Sequence, residues 1–245
     1  MLRILCPAKV NLFLAIGPRD PSGYHLLDTI FLRTRLFQDE LTLERADETS
    51  FHCDSLPAEG NSVLKALQVL EQTTGRHFNY RITLKKGIPV GSGLGGASSD
   101  AAALLQKLNE LENLKLSQTQ LMELGAQVGM DVPFFLSGYS AAHGTHFGEQ
   151  VTLLPSLPAN LELRIEPGLT PISTQEAFER WDMAGLTSTA SSEALRTALH
   201  AQDPAAILAA LHNDFGQFFT PPKLTPGEAA VLTGSGSAFA VLHML

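Results

Sequence analysis

Between residues 87 and 108 the chain reads GIPVGSGLGGASSDAAALLQKL, with five glycines among its first ten residues. Glycine tolerates positive φ and lets backbone N–H groups come close to an anion. The alanines and leucines that follow have helical spacing, and a helix start adds unpaired N–H donors and partial positive charge. Ser98 and Ser99 can donate hydroxyl protons to phosphate oxygens. Together these features describe an anion cradle. The alternative is a plain loop whose two serines cap the next helix. The loop is not a GxxxxGK[ST] phosphate loop, because no lysine follows its last glycine. Gly91, Gly93 and Gly96 spell GxGxxG, but no acidic ribose partner stands in a second strand about twenty residues on, so a dinucleotide fingerprint is excluded.

Four other places carry reactive side chains. Lys9 and Asn11 stand two apart in an apolar run and point the same way if it is extended. A lysine there is either an exposed strand-end charge or a buried cation that needs a partner. Asp131 follows a helix ending near Val128 and precedes Val132-Pro133. Pro133 biases Val132 toward an extended conformation, so Asp131 is either a turn aspartate or a base projected from the helix end. Tyr24 and His25 offer a stacking face and a hydrogen-bonding ring, or else a buried pair in a turn. His143 and His146 have no further clustered ligands, which makes a poor zinc site.

The elements that position these residues follow from periodicity. Val10 to Ile16 is apolar on both faces and reads as a buried strand. Further strand-like runs lie around Ile30 to Leu36 and Glu40 to Leu43. Val63, Ala66, Leu67 and Leu70 make a helix stripe, with Asn61 or Ser62 as its cap. Tyr80, Ile82 and Leu84 alternate as a strand, and Ala101, Leu104, Leu105, Leu108 and Leu111 make the helix stripe after the glycine loop. Ser117 with Gln120 reads as a capping box, Ser173 with Glu176 as a helix start, and Asp203-Pro204 as another. The end of the chain reads strand, Gly/Ser turn, strand. Strands and helices mix without regular βαβ alternation, which predicts an α+β fold. The prolines of residues 153–160 are the expected boundary between a domain at 1–154 and one at 155–245.

The 245 residues suffice for a real core, and 44% hydrophobic with 17% charged residues is a globular balance. A net charge of −8 argues against nucleic acid or an anionic membrane as partner. Cys6 and Cys53 form no CxxC pair and no disulfide framework. No apolar run approaches transmembrane length, and a soluble cytoplasmic protein of undefined oligomeric state is expected.

Three motifs, in order, resemble those of the GHMP kinases: PAKVNLFLAI (7–16), PVGSGLGGASSDAA (89–102) and LTGSGSAFAVL (232–242). GYHLLDTIF (23–31) and GMDVPFFLSG (129–138) resemble the branch that acts on CDP-methylerythritol in the non-mevalonate route to isoprenoid precursors. The resemblance implies a two-domain α+β fold with the active site in the inter-domain cleft. It implies ATP-dependent phosphorylation, with Mg2+, of the 2-hydroxyl of that small-molecule substrate. It makes Asp131 the catalytic base and pairs it with Lys9, with Asn11 holding substrate. It makes Pro89, Val90, Gly91, Ser92, Gly93, Leu94, Gly95, Gly96, Ala97, Ser98 and Ser99 the ATP loop, with Asn61 and Lys86 nearer adenine. It gives the cytidine to Tyr24, His25, Thr174 and Phe178, with Phe178 stacked opposite Tyr24. No protein metal ligand is implied. A GHMP kinase with another alcohol acceptor, or a nucleotide-binding sensor without turnover, is the alternative. The stretch between the NDF motif (213–215) and the third glycine motif is shorter than in the family, and Pro221, Pro222 and Pro226 forbid a regular helix there.

Overall fold

A computed structural model describes residues 1–168 and 170–245. The chain opens with two long strands, β1 (Leu2–Arg19) and β2 (His25–Arg45). In β1, burial alternates up to Cys6 and is continuous from Ala8 to Ile16, as the two-faced apolar run predicts. The two runs expected as separate strands in 30–43 are one strand, because nothing between them breaks an extended chain: LFQDE holds neither glycine nor proline.

The molecule divides into two compact units that interleave along the sequence. The first comprises Met1–Ala8, Phe37–Ile88 and Gly95–Gly138; the second comprises Lys9–Leu36, Pro89–Leu94 and Tyr139–Leu245. This is not the expected cut at 154/155. β1 and β2 each give residues to both units, and the prolines of 153–160 lie inside the second.

In the first unit, β4 (Tyr80–Lys85) pairs antiparallel with Glu40–Arg45 of β2 and parallel with β3 (Ser50–Cys53). Its helices are α1 (Ser62–Thr74), α2 (Gly96–Leu111), α3 (Gln118–Val128) and α4 (Val132–Ser137). α1 buries Val63, Ala66, Leu67 and Leu70, and Asn61 caps it by accepting from Val63 N at 2.9 Å. α2 buries Ala101, Leu104, Leu105 and Leu108, while Leu111, at the last turn, stays exposed. α3 starts on the expected Ser117–Gln120 capping box.

Val132 is not extended. It opens α4, with Pro133 in the first turn, where the missing N–H has no intrahelical partner to lose. The 1% exposure of Val132 shows that packing overrides the local bias set by the following proline.

In the second unit, β5 (Ala141–Thr145) pairs antiparallel with Thr29–Leu32 of β2 and with β6 (Gln150–Leu154). The two-residue β8 (His212–Asn213) lies parallel to β1 at Phe13 and Leu14. A separate antiparallel sheet has the order β7 (Leu161–Glu166), β10 (Phe239–Met244), β9 (Glu228–Leu232). α5 (Thr174–Met183) starts on Ser173, whose Oγ accepts from Glu176 N, and α7 (Pro204–Ala209) starts on Asp203. α6 (Glu193–Ala201) lies between them in sequence. Leu14, Ile16, Trp181, Phe215, Leu232 and Phe239 meet in one core cluster. Residues 219–227 form no helix or strand, as their prolines require.

Candidate functional site

The second unit holds Lys9, the middle of the glycine loop and the third glycine motif. Lys9 is 3% exposed. Its Nζ donates to Asn11 Oδ1 at 2.6 Å and lies 5.6 Å from the centroid of the Phe31 ring. The lysine is therefore a buried cation, on the same side of β1 as Asn11. Asn11 Oδ1 also accepts from Gly234 N at 2.9 Å, and its Nδ2 donates to Thr29 Oγ1 at 2.7 Å. Thr29 Oγ1 in turn donates to Phe13 O at 2.7 Å, and Thr233 Oγ1 accepts from Asn11 N at 2.9 Å. Asn11, 2% exposed and committed to protein partners at both ends of its amide, orients Lys9 and the third motif.

Residues 89–94 are pinned to the turn between β9 and β10. Lys9 N donates to Leu94 O, Ala238 N to Ser92 O, and Thr233 Oγ1 to Gly93 O. Ile172 N donates to Gly91 O. Gly93 has φ +77, and a Cβ there would stand 2.0 Å from Thr233 O. A side chain is thus excluded twice, by dihedral and by contact. Asn213 supports the same turn from below, donating from Nδ2 to Leu232 O and Gly234 O.

Tyr24 is 58% exposed, its ring centroid 5.3 Å from that of Phe147. His25 stacks on Phe178 at 5.5 Å, and Phe178 meets Phe215 edge-on at 5.0 Å. Phe178, expected opposite Tyr24 across the cytidine, contacts His25 and packs against the core cluster. Both His25 nitrogens face oxygen acceptors, Gly17 O at 2.8 Å and Asp182 Oδ1 at 2.9 Å. Thr174 Oγ1 lies 3.4 Å from Ser235 Oγ, joining α5 to the third motif.

The two histidines considered for zinc have separate partners. His146 Nδ1 meets Glu149 at 2.5 Å. His143 Nε2 meets Asp28 at 2.8 Å, with Ser192 Oγ at 3.4 Å. Serine and aspartate approach the same ring nitrogen, so this trio is not a nucleophile relay, in which the acid holds the other nitrogen. Burial pushes the Asp28 carboxyl up, but His143 and Ser192 outweigh it and hold it at about 2. Among the described residues no group of three or more His, Cys, Asp or Glu side chains is placed to hold a metal ion, and no helix is long and apolar enough to cross a membrane.

The first unit holds the two ends of the glycine loop and Asp131. Gly95, not a serine, occupies the cap of α2, and no side chain caps that helix. Ser98 and Ser99 lie within its first turn, so the N–H donors there are not consumed by a side chain. Among the described residues, the buried Ser99 Oγ has no hydrogen-bond partner. Asp131 sits at the cap of α4 in helical geometry, half-buried, and its side chain does not cap that helix.

Lys86 is turned inward. Its Nζ donates to Asp39 Oδ2 and, at 2.8 Å, to Asp100 Oδ2, and its side chain is only 8% exposed. Burial, reinforced by the Asp39 charge, pushes the Asp100 carboxyl up against the pull of Lys86. Burial foremost, then Asp100 and Asp39, drives the Cys6 thiol far above its ordinary value, which makes it inert.

Reading the residues in order pointed to Lys9, Asn11 and the loop but gave no role to Thr29, Asp39, Asp100, Asp182 or Asn213. These act through contacts with residues distant in sequence, and only Asp100, inside the SSD triplet, and Asn213, inside the NDF motif, carried a local signal.

The GHMP kinases N terminal domain family model matches residues 61–139. A 4-diphosphocytidyl-2-C-methyl-D-erythritol kinase of Desulfotalea psychrophila is 34% identical over 98% of this chain and 81% of its own. The enzyme of that name from Gloeobacter violaceus is 35% identical over 97% and 84%. A crystal structure of 4-(cytidine 5'-diphospho)-2C-methyl-D-erythritol kinase superposes with a TM-score of 0.73 at 30% identity, covering 98% of this chain and 90% of that one. With the glycine loop, the buried Lys9 and the third motif in place, the chain belongs to the 4-diphosphocytidyl-2-C-methyl-D-erythritol kinases of the GHMP kinase family.

Proposed function

We propose that this protein transfers the γ-phosphoryl group of ATP to the 2-hydroxyl of 4-diphosphocytidyl-2-C-methyl-D-erythritol. The observation that carries the reading is the buried Lys9–Asn11–Gly234 cluster, which builds a fixed cation into β1 and ties it to the third glycine motif. Phosphoryl transfer draws most of its rate from positioning and charge stabilisation, and this chain supplies both. The uncapped first turn of α2 and the N–H groups of the glycine loop receive the phosphates of ATP.

Asp131 accepts the proton of the substrate hydroxyl, and Lys9 favours the oxyanion that forms. The oxygen–phosphorus bond then forms as the bond to the β-phosphate oxygen breaks, and ADP leaves. Asn11 acts through Lys9, whose ammonium it orients. The exposed face of Tyr24 takes the cytosine, with Thr174 and Phe178 beside it. His25 is a ring held in place from both nitrogens. Asn61 uses Oδ1 as a helix cap and leaves Nδ2 for the adenine end.

When bound with ATP, Mg2+ neutralises phosphate charge. The partnerless buried hydroxyl of Ser99 suits a hard cation, and Ser98 and Ser99 would hold it. The enzyme works in the cytoplasm.

The test is ADP release from Mg-ATP with the CDP-linked substrate, for wild type and Asp131→Asn. The expected result is substrate-dependent turnover that falls about 10²–10⁴-fold in the variant, with CDP binding unchanged. Wild-type ADP release indifferent to that substrate would overturn the reading.

A further inference from the structure

Lys86 was expected near ATP, yet its ammonium points into the protein, and what it touches defines a device. Asp39, on β2, is 0% exposed. One of its oxygens accepts from Gly87 N at 2.7 Å and Ile88 N at 2.8 Å, the first residues of the glycine loop. The other accepts from Lys86 Nζ. The same ammonium donates to Asp100, in α2, which follows the loop. Two carboxyl groups and one ammonium are thus removed from water together; Lys86 partners Oδ2 of each acid, while Asp100 Oδ1 has no hydrogen-bond partner among the described residues.

The placement under the loop is tight. A Cβ on Gly96, the first residue of α2, would stand 3.0 Å from Asp39 Oδ2 and 3.1 Å from Lys86 Nζ. The charged contact therefore occupies the space a side chain would fill at the start of the helix, and glycine is what lets it pass. The loop leaves β4 over Asp39 and returns into α2 over Asp100, and Lys86 bridges the two.

We propose that Asp39, Lys86 and Asp100 form a buried clamp that fixes the spacing between the two ends of the glycine loop and so sets nucleotide affinity. Lys86 is in this account a positioning residue that does not touch the nucleotide with its side chain. Convergent backbone donors bind an anion tightly only when their geometry is set beforehand. A loop rich in glycine has little stiffness of its own; its middle is held by bonds from Lys9, Thr233, Ala238 and Ile172, and its ends by what Asp39, Lys86 and Asp100 tie together. The inference rests on the kinase reading only for the identity of the bound anion.

The clamp makes the roles of Lys86 and Asp39 equivalent, which a direct contact between Lys86 and ATP does not. Lys86→Met, Asp39→Asn and Asp100→Asn would be titrated with Mg-ADP and, separately, with CDP. Amide exchange at Gly87, Ile88 and residues 96–99 would be followed in the same samples. The expected result is a loss of Mg-ADP affinity of about tenfold or more in both Lys86→Met and Asp39→Asn, with CDP affinity unchanged and faster exchange at both loop ends. Lys86→Arg, which keeps the charge and both acceptors, restores most of the affinity.

Asp100→Asn keeps an acceptor for Lys86 and is the mild variant if the other two do not fold. It is expected to weaken Mg-ADP binding severalfold and to speed exchange at 96–99. Loss of Mg-ADP binding in Lys86→Met with full affinity in Asp39→Asn and Asp100→Asn would overturn the clamp in favour of direct contact. Equal affinity in all variants would overturn both. A wild type that binds no Mg-ADP would instead refute the kinase reading.

Discussion

Replacing Asn11 with leucine keeps its volume but removes both polar ends of the amide. Three hydrogen bonds go with it: from Lys9 Nζ, from Gly234 N and to Thr29 Oγ1. A bond to a charged group contributes about 1.5–3 kcal/mol and a neutral one about 0.5–1.5 kcal/mol. One of the first kind and two of the second sum to roughly 2.5–6 kcal/mol, a large part of the ~5–15 kcal/mol that holds a domain folded. The site is 2% exposed, so water cannot take over the lost bonds. Trp181, the single tryptophan, is buried in the same unit and reports its unfolding by fluorescence. Urea titration of wild type and Asn11→Leu should show a lower midpoint with the slope unchanged. Thr29→Val loses its two bonds, about 1–3 kcal/mol. The double variant should be less destabilised than the sum, because the Asn11–Thr29 bond is counted twice. A loss below about 1 kcal/mol for Asn11→Leu, or strict additivity in the double variant, would refute this account of the cluster.

Three further outcomes are expected. Gly93→Ala must relieve both a positive φ and an overlap with Thr233 O, so it should abolish nucleotide binding in a calorimetric titration while circular dichroism still shows folded protein at low temperature. Asp28, held at about 2 against an ordinary 3.8, contributes stability that is present above the ordinary value and lost as pH falls through the lower one. Asp28→Asn should therefore be less stable at neutral pH by about 1–2 kcal/mol, after discounting for its partial exposure, and should flatten the acid side of the stability profile. Asn61→Ala should lose about 1 kcal/mol from removal of the α1 cap. If it also weakens Mg-ADP binding, Nδ2 reaches the nucleotide; if affinity is unchanged, the cap is its whole role.

Local chemistry was readable from the chain wherever cause and effect lie within a few residues. The caps at Asn61, Ser117, Ser173 and Asp203 form as their residue types demand, and the apolar stripes of α1 and α2 are buried. That Lys9 and Asn11 share a side follows from strand periodicity once the run is extended, whereas the burial of Lys9 was an open alternative that the structure decides. What escaped was decided at long range. Val132 is helical because its side chain is buried in spite of the proline after it. Lys86 faces inward because Asp39, 47 residues earlier, stands beneath it. The division into units could not be placed at a proline-rich linker, because the two longest strands each serve both units. A reading that proceeds along the chain looks for boundaries between segments, and here the segments are shared.

The bond between Asn11 and Gly234 joins residues separated by 223 positions. During synthesis, β1 leaves the ribosome early and the turn that orients its lysine leaves near the end. At about 5–20 residues per second, roughly ten to forty-five seconds separate the two events. Throughout that interval the nascent chain holds Lys9 without the Gly234 side of its scaffold, so it is a kinase in sequence but not yet in geometry. A transcript cut short after β8 would yield a polypeptide with the glycine loop, Lys9 and Asp131 all present and the turn from β9 to β10 missing. Such fragments would lack the Gly234 and Thr233 partners of Asn11.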